Sequence, residues 1–196
     1  MPQLSAYTAM IWSFLASSSS GTVASQQVQV PIAWLQAFCL ENLRLLERHC
    51  RRSAPYSTII TFDGSLTGGG ATLQVGVTSK AEAGIKPIVA YWADQWTADD
   101  LKLVSVVPGD PAGQARLEAL TLLISIATWR PLLAASQGTL TFIGDALGVL
   151  HDALRFKARE PILNGIMGEL ALQIAPFGAD LRAAHVWSER NSLWRL

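Results

Sequence analysis

The stretch STIITFDGSLTGGGATL, residues 57–73, reads as strand, turn, strand. Thr58 to Phe62 are β-branched or aromatic and fit a mostly buried strand, and Asp63-Gly64 supplies a turn signal where the run stops. Gly68, Gly69 and Gly70 let the backbone bend and approach a neighbour closely before Ala71 to Val77 resumes a strand. Asp63 thus stands on a strand tip, where a carboxylate serves either as a metal ligand or as the residue that closes a hairpin.

The 196-residue chain is half hydrophobic, 15% charged and of zero net charge, which suits one folded core plus an appendage. Any polyanion-binding surface must then come from local clusters of Arg and Lys. Cys39 and Cys50 fall 11 positions apart in one expected helix, too far along its axis for a disulfide, and form no metal-ligand spacing. A reducing, intracellular setting follows, cytoplasmic or nuclear; no apolar run reaches the length of a membrane span, and AMIWSFLA lacks the basic flank of a signal peptide.

Working outward, residues 1–16 have helical spacing and give way to a polar linker at Ser17–Gly21. A second helix is expected from Pro31, suited to a first turn, to a basic end at Arg51-Arg52, where cations favour the helix dipole or contact phosphates. Downstream of the glycines, Ile85 to Trp92 reads as a third strand whose Pro87 places it at a sheet edge or on a bulge. Thr97 caps a short helix, Pro108 to Pro111 is a break, and a long buried helix is expected over Ala112–Leu133. Glu118 is the only acid in that helix; burying it ionised costs several kcal/mol unless it is paired or metal-bound, and Arg116 does not share its face.

Thr139 to Ile143 is a further strand, ending at Gly144-Asp145 before helical spacing over Ala146–Phe156. Asp145 is a second strand-tip carboxylate or the N-cap of that helix. A helix over Glu160–Ala175 and a strand over Leu181–Trp187 complete the order. Three consecutive strands pair as an antiparallel meander, and two more, each reached through a helix, add in parallel beside the first. The tips of strands one and four then adjoin, and Asp63, Glu118 and Asp145 gather at one edge.

At this point the chain resembles ribonuclease H-like domains, specifically those of retroelement (retrotransposon) reverse transcriptases. The resemblance is carried by TFDGSLTGGGATL (61–73), QARLEALTLLISIATW (114–129), TFIGDALGVLHDAL (141–154) and HVWSERNSL (185–193). It implies an α/β fold with a mixed five-stranded sheet flanked by helices over residues 55–196, preceded at 1–54 by a helical extension like the tail of a polymerase or connection region. It further implies a magnesium-dependent hydrolase: Asp63, Glu118 and Asp145 as catalytic metal-binding carboxylates, two Mg²⁺ or Mn²⁺ ions, and endonuclease cleavage of the RNA strand of an RNA–DNA hybrid by part of a larger polyprotein. Arg155, Lys157, Arg159 and Arg190 are candidates for nucleic acid binding, or equally solvated loop charges. His185 opens the last motif, where it fits a packed structural role. In relatives that motif continues from Asn to Ala-Asp and a short helix; here Arg195 holds the slot four after Asn191 expected to carry a fourth carboxylate. A cation there repels a metal ion, so a truncated, noncatalytic remnant or nucleic-acid-binding module is the competing expectation. A third is an unrelated α/β domain whose acids are caps and turns.

Overall fold

The computed structural model describes residue 11 and residues 25–42, 56–77, 88–135 and 138–187. In chain order its elements are α1 (Ser25–Asn42), β1 (Tyr56–Gly64), β2 (Gly68–Val77), β3 (Ile88–Gln95), α2 (Ala98–Leu103), α3 (Gln114–Thr128), α4 (Arg130–Ala135), β4 (Thr139–Gly144), α5 (Leu147–Arg155), α6 (Pro161–Ile174) and β5 (Asp180–His185). The expected helix over residues 1–16, apart from residue 11, the linker at 17–21, the basic end at 43–52, Cys50, Pro87, Arg190 and Arg195 lie outside the described residues.

Five strands form one mixed sheet in the order β3-β2-β1-β4-β5. β1 pairs antiparallel with β2, and β2 with β3; β4 joins β1 in parallel and β5 joins β4 in parallel. The short Ser65–Thr67 turn permits the hairpin, whereas the parallel strands are reached through helices, as parallel pairing requires. β3 is the edge strand expected from its proline, and its register with β2 shifts at Leu73/Gln74.

α3 and α5 pack on one face of the sheet, and α6 packs against α3 and α5. Alternation decides which side chains enter that layer: Ile60 and Phe62 of β1, Ala71 and Leu73 of β2, and Leu140 and Phe142 of β4 are buried, while Ile59, Thr61, Thr141 and Ile143 are half-buried. Leu117, Leu122 and Ile126 of α3 and Met167 of α6 meet them in the core. α3 also carries Thr121 and Ser125 into this layer. Their hydroxyls donate to the Leu117 and Thr121 carbonyls at 2.8 and 2.7 Å, and Ser125 accepts from the Trp92 indole at 3.0 Å, so neither polar group is stranded.

Two helices depart from expectation. The single helix over 112–133 is a 3-10 turn at Pro111–Gly113, then α3, then α4, with the break at Trp129. Pro131 supplies the reason, because it has no N–H to give to the carbonyl four residues back and its ring crowds that turn. Pro31 is not at a first turn but inside α1, which starts six residues earlier. α1 docks through Trp34, whose ring would lie 2.5 Å from a Cβ at Gly168 of α6. Thr97 caps α2 as expected, in a capping box with Asp100.

Candidate metal centre

Asp63 and Asp145 come together through strand register. Thr61 lies opposite Ile143 in the parallel β1–β4 pair, and continuing two residues along both chains brings Asp63 level with Asp145. Glu118 arrives from the other direction, on the second turn of α3, where the helix crosses the end of the β1–β2 hairpin. The three carboxylates each offer an oxygen within 4.8 Å of the others. Asp63 is 5% and Glu118 3% exposed, so the cluster is largely withdrawn from water.

The close approach of α3 depends on glycine. A Cβ at Gly64 would stand 2.9 Å from the Glu118 Cα, and one at Gly69, its partner across the hairpin, 2.5 Å from the Thr121 hydroxyl. Of the three glycines expected to permit close approach to a backbone or ligand, Gly69 faces α3, whereas Gly68 and Gly70 face the β3 backbone at Asp94 and Trp92.

Asp145 is not the N-cap of α5. The cap is Ala146, which makes no side-chain capping bond, so the capping alternative falls away. Asp63 likewise does more than close a hairpin, since the β1–β2 pairing continues past it to Gly64 and the turn is held by Ser65, whose hydroxyl meets the Gly68 carbonyl at 3.0 Å. Arg116 does not neutralise Glu118. Its guanidinium reaches Glu160, the N-cap of α6, at 3.4 Å and donates to the Val104 and Ser105 carbonyls.

Burial, foremost, and then the charges of Asp145 and Asp63 push the Glu118 carboxyl up to about 8, against the pull of the Gln114 amide and the Gly64 N–H. Glu118 Oε1 accepts from Gln114 Nε2 at 3.2 Å, while the buried Oε2 has no hydrogen-bond partner among the described residues. Three crowded carboxylates with such an oxygen form an all-oxygen donor set of the kind a hard divalent cation takes, and a cation there reverses the electrostatic cost of gathering them.

His185 is exposed rather than packed. It ends β5 opposite Gly144, its Nε2 lies 3.0 Å from the Asp145 carbonyl oxygen, and its ring meets Trp187 edge-on at 5.2 Å. Arg155, Lys157 and Arg159 are all exposed around the α5–α6 connection. α5 begins beside the cluster and ends at Arg155, about 12 Å further along its axis, so the structure does not bring these cations to the carboxylates. A groove of about 450 Å³ leaves Asp63 and runs past Ser65, Thr67 and the three glycines to Asp94 and Gln95.

Sequence reasoning passed over Gln114, Trp96 and the Asp94-Gln95 wall of the groove. For Gln114 a signal was present: it precedes Glu118 by four residues, the spacing that stacks two side chains on one helical face. Trp96 had no local signal, since its indole partner, the Ser65 carbonyl, is 31 residues away.

The strand order and strand directions, with helices packed on the sheet, are those of a ribonuclease H-like fold. No protein-family model matches the chain, and no curated protein matches it. Among solved structures it is similar to a ribonuclease H1 from the halophilic archaeon Halobacterium salinarum (TM-score 0.45, 14% identity, 69% of this chain and 89% of that one). It is also similar to LC11 ribonuclease H1 in complex with an RNA/DNA hybrid (TM-score 0.48, 12% identity, 69% and 88%). A third similar structure is a foamy viral protease–reverse transcriptase in complex with double-stranded DNA (TM-score 0.37, 12% identity), with 95% of this chain matched to 35% of that one. Likeness this distant says nothing of activity, which has to be argued from the carboxylates.

Proposed function

We propose that residues 55–196 form a divalent-metal-dependent endonuclease domain that hydrolyses the RNA strand of RNA–DNA hybrids, within a retroelement reverse transcriptase whose preceding region is represented by residues 1–54. The observation that carries this reading is the meeting of Asp63, Glu118 and Asp145 within 4.8 Å at the end of the sheet. Asp63, Glu118 and Asp145 would hold Mg²⁺ or Mn²⁺. A pair of such ions in a carboxylate site activates water and stabilises the leaving oxygen of a phosphodiester. The chain's own part is to keep these oxygens converged and largely withdrawn from water, and to present beside Asp63 a groove lined by glycine backbone, Ser65, Thr67, Ala93, Asp94 and Gln95, open to a sugar-phosphate strand. Thr67 offers an exposed hydroxyl there to phosphate and 2′-hydroxyl groups, while the Ser65 hydroxyl is taken up within the turn. Arg155, Lys157, Arg159 and Arg190 would contact phosphates farther from the scissile bond. Among the described residues, no helix is long and apolar enough to cross a membrane.

Arg195, in the slot expected for a fourth carboxylate, favours a second reading: a ribonuclease H-like module that binds nucleic acid without cutting it. Cleavage of a labelled RNA–DNA hybrid with Mg²⁺ and then Mn²⁺, beside Asp63→Asn, separates the two. Cleavage lost in the variant supports the nuclease. A folded wild-type chain that cuts nothing overturns it, and a gain of cleavage in Arg195→Asp would then locate the defect.

A further inference from the structure

Gln114 begins α3, one turn ahead of Glu118, and its side-chain nitrogen donates in two directions: to Glu118 Oε1 at 3.2 Å and to the Gly64 carbonyl at the end of β1. The Gln114 amide thus ties the start of α3 to the end of β1 and to the Glu118 carboxylate at once. Glu118 Oε2 is a buried oxygen without a hydrogen-bond partner among the described residues.

We infer that Gln114 is a positioning residue for the metal centre: its amide holds Glu118 by Oε1 and leaves Oε2 presented as the ligand oxygen. The inference rests on the metal-binding reading proposed above. The chemistry suits the task, because a primary amide has two N–H donors, enough for both partners, and carries no charge. A lysine or arginine would pair with Glu118 and compete with the cation, whereas the neutral amide fixes orientation only. Without that bond, a Glu side chain with three rotatable torsions must be ordered by the ion itself, and the lost rotamer freedom is subtracted from affinity. Second-layer hydrogen bonds to metal ligands commonly carry a tenfold or larger share of affinity for this reason.

The test is Mn²⁺ titration of the full chain, by calorimetry and by the paramagnetic signal of the free ion, for wild type, Gln114→Met and Gln114→Asn, with thermal unfolding of each in the absence of metal. Methionine keeps the length and loses the donors; asparagine keeps the donors and loses the reach. Arg116→Met on the same helix is the structural control, expected to lower metal-free stability and leave Mn²⁺ affinity unchanged. The expected result is about a tenfold or greater weakening of Mn²⁺ binding in whichever Gln114 variant folds, with metal-free unfolding close to wild type. Wild-type affinity in a folded Gln114 variant overturns the inference and leaves the metal-site reading intact. Affinity lost only in step with metal-free stability also overturns it, assigning Gln114 a structural role. A wild-type chain that binds no Mn²⁺ overturns the metal-site reading and this inference together.

Discussion

The backbone of Gly64 rests directly on that of Glu118: a Cβ on Gly64 would lie 2.9 Å from both the Cα and the amide nitrogen of Glu118, and 2.8 Å from the Thr121 hydroxyl. Both obstacles at 2.9 Å are main-chain atoms, which cannot swing aside as a flexible side chain can. The separation between sheet and helix is therefore set by hydrogen at this position.

Gly64→Ala is expected to move α3 outward and carry Glu118 away from Asp63 and Asp145. Overpacking of this kind costs on the order of 1–3 kcal/mol, enough to lower the melting temperature by several degrees. Metal binding should suffer more than stability does, because a shift of a few tenths of an ångström is shared by every ligand distance. Urea unfolding and Mn²⁺ titration on the variant check both parts; unchanged metal affinity would mean that the helix can slide without opening the site.

The Glu118 carboxyl gives the metal-free protein a distinctive pH response. Its folded value of about 8 lies above the ordinary value of 4.5, so between those limits the folded state binds a proton that the unfolded chain has lost. Stability from this group is complete below about pH 4.5 and drains away as pH rises towards 8, by an amount on the order of several kcal/mol. Asp100 and Glu160, both held below their ordinary values, act in the opposite sense and at lower pH, where acid removes their contribution. Metal-free unfolding measured from pH 5 to 8.5 should therefore slope downward, and Glu118→Gln should flatten that slope. The slope surviving in Glu118→Gln would trace it to another group, with Asp152, raised chiefly by burial, next in line.

Adding Mg²⁺ reverses the sign. The cation requires the carboxylate that the proton occupies, so affinity should climb with pH through the same window, and each binding event should release part of a proton to the buffer. Calorimetric titrations in two buffers of different ionisation enthalpy measure that release directly. Proton release of zero at pH 7 would show Glu118 already ionised before the metal arrives.

How much of this was readable beforehand depended on whether the deciding interaction was local. The strand tips at Asp63 and Asp145 were legible because a β-branched run ends there against glycine, and their adjacency followed from strand-helix-strand connectivity. Glu118 was legible as a lone acid on a helix too apolar to expose it. The end of α3 was not, because apolar residues continue through Pro131 into α4 and the hydrophobic pattern hides the break. Asp145 stayed divided between N-cap and ligand, since sequence places a cap only to within a residue or two and here the cap falls one step later, at Ala146. The role of Gly64 was invisible for a different reason: its partner is 54 positions away, and nothing local distinguishes a glycine that turns a hairpin from one that admits a helix.

Asp63→Asn separates metal binding from folding. Neutralising Asp63 removes one of the charges crowding Glu118, so the metal-free variant should be as stable as wild type or more so. Mg²⁺ or Mn²⁺ should no longer raise its melting temperature, whereas wild type in millimolar metal should gain stability as RT ln(1 + [L]/Kd). Differential scanning fluorimetry with and without metal, followed by EDTA reversal, reads both. An equal metal-dependent shift in the variant would place the ion elsewhere.

Trp96 pins the hairpin turn from outside the sheet. Its indole N–H donates to the Ser65 carbonyl at 2.8 Å, its backbone N–H donates to the Thr67 carbonyl at 3.1 Å, and its ring would lie 2.7 Å from a Cβ at Gly69. Trp96→Phe keeps the backbone bond and most of the ring contact and deletes the indole donor, at a cost of about 1 kcal/mol. The loss should be local. The Gly68 carbonyl accepts from Ser65 N–H at 2.8 Å within the turn, so amide exchange at Ser65 should quicken while exchange in β4 and α6 stays at the wild-type rate. Because Ser65 and Thr67 wall the groove beside Asp63, the variant should bind an RNA–DNA hybrid more weakly while its Mn²⁺ affinity is unchanged. Loss of both together would mean that the turn and the carboxylate cluster move as one unit, with Asp63 taking its position from the turn rather than from its register with β4.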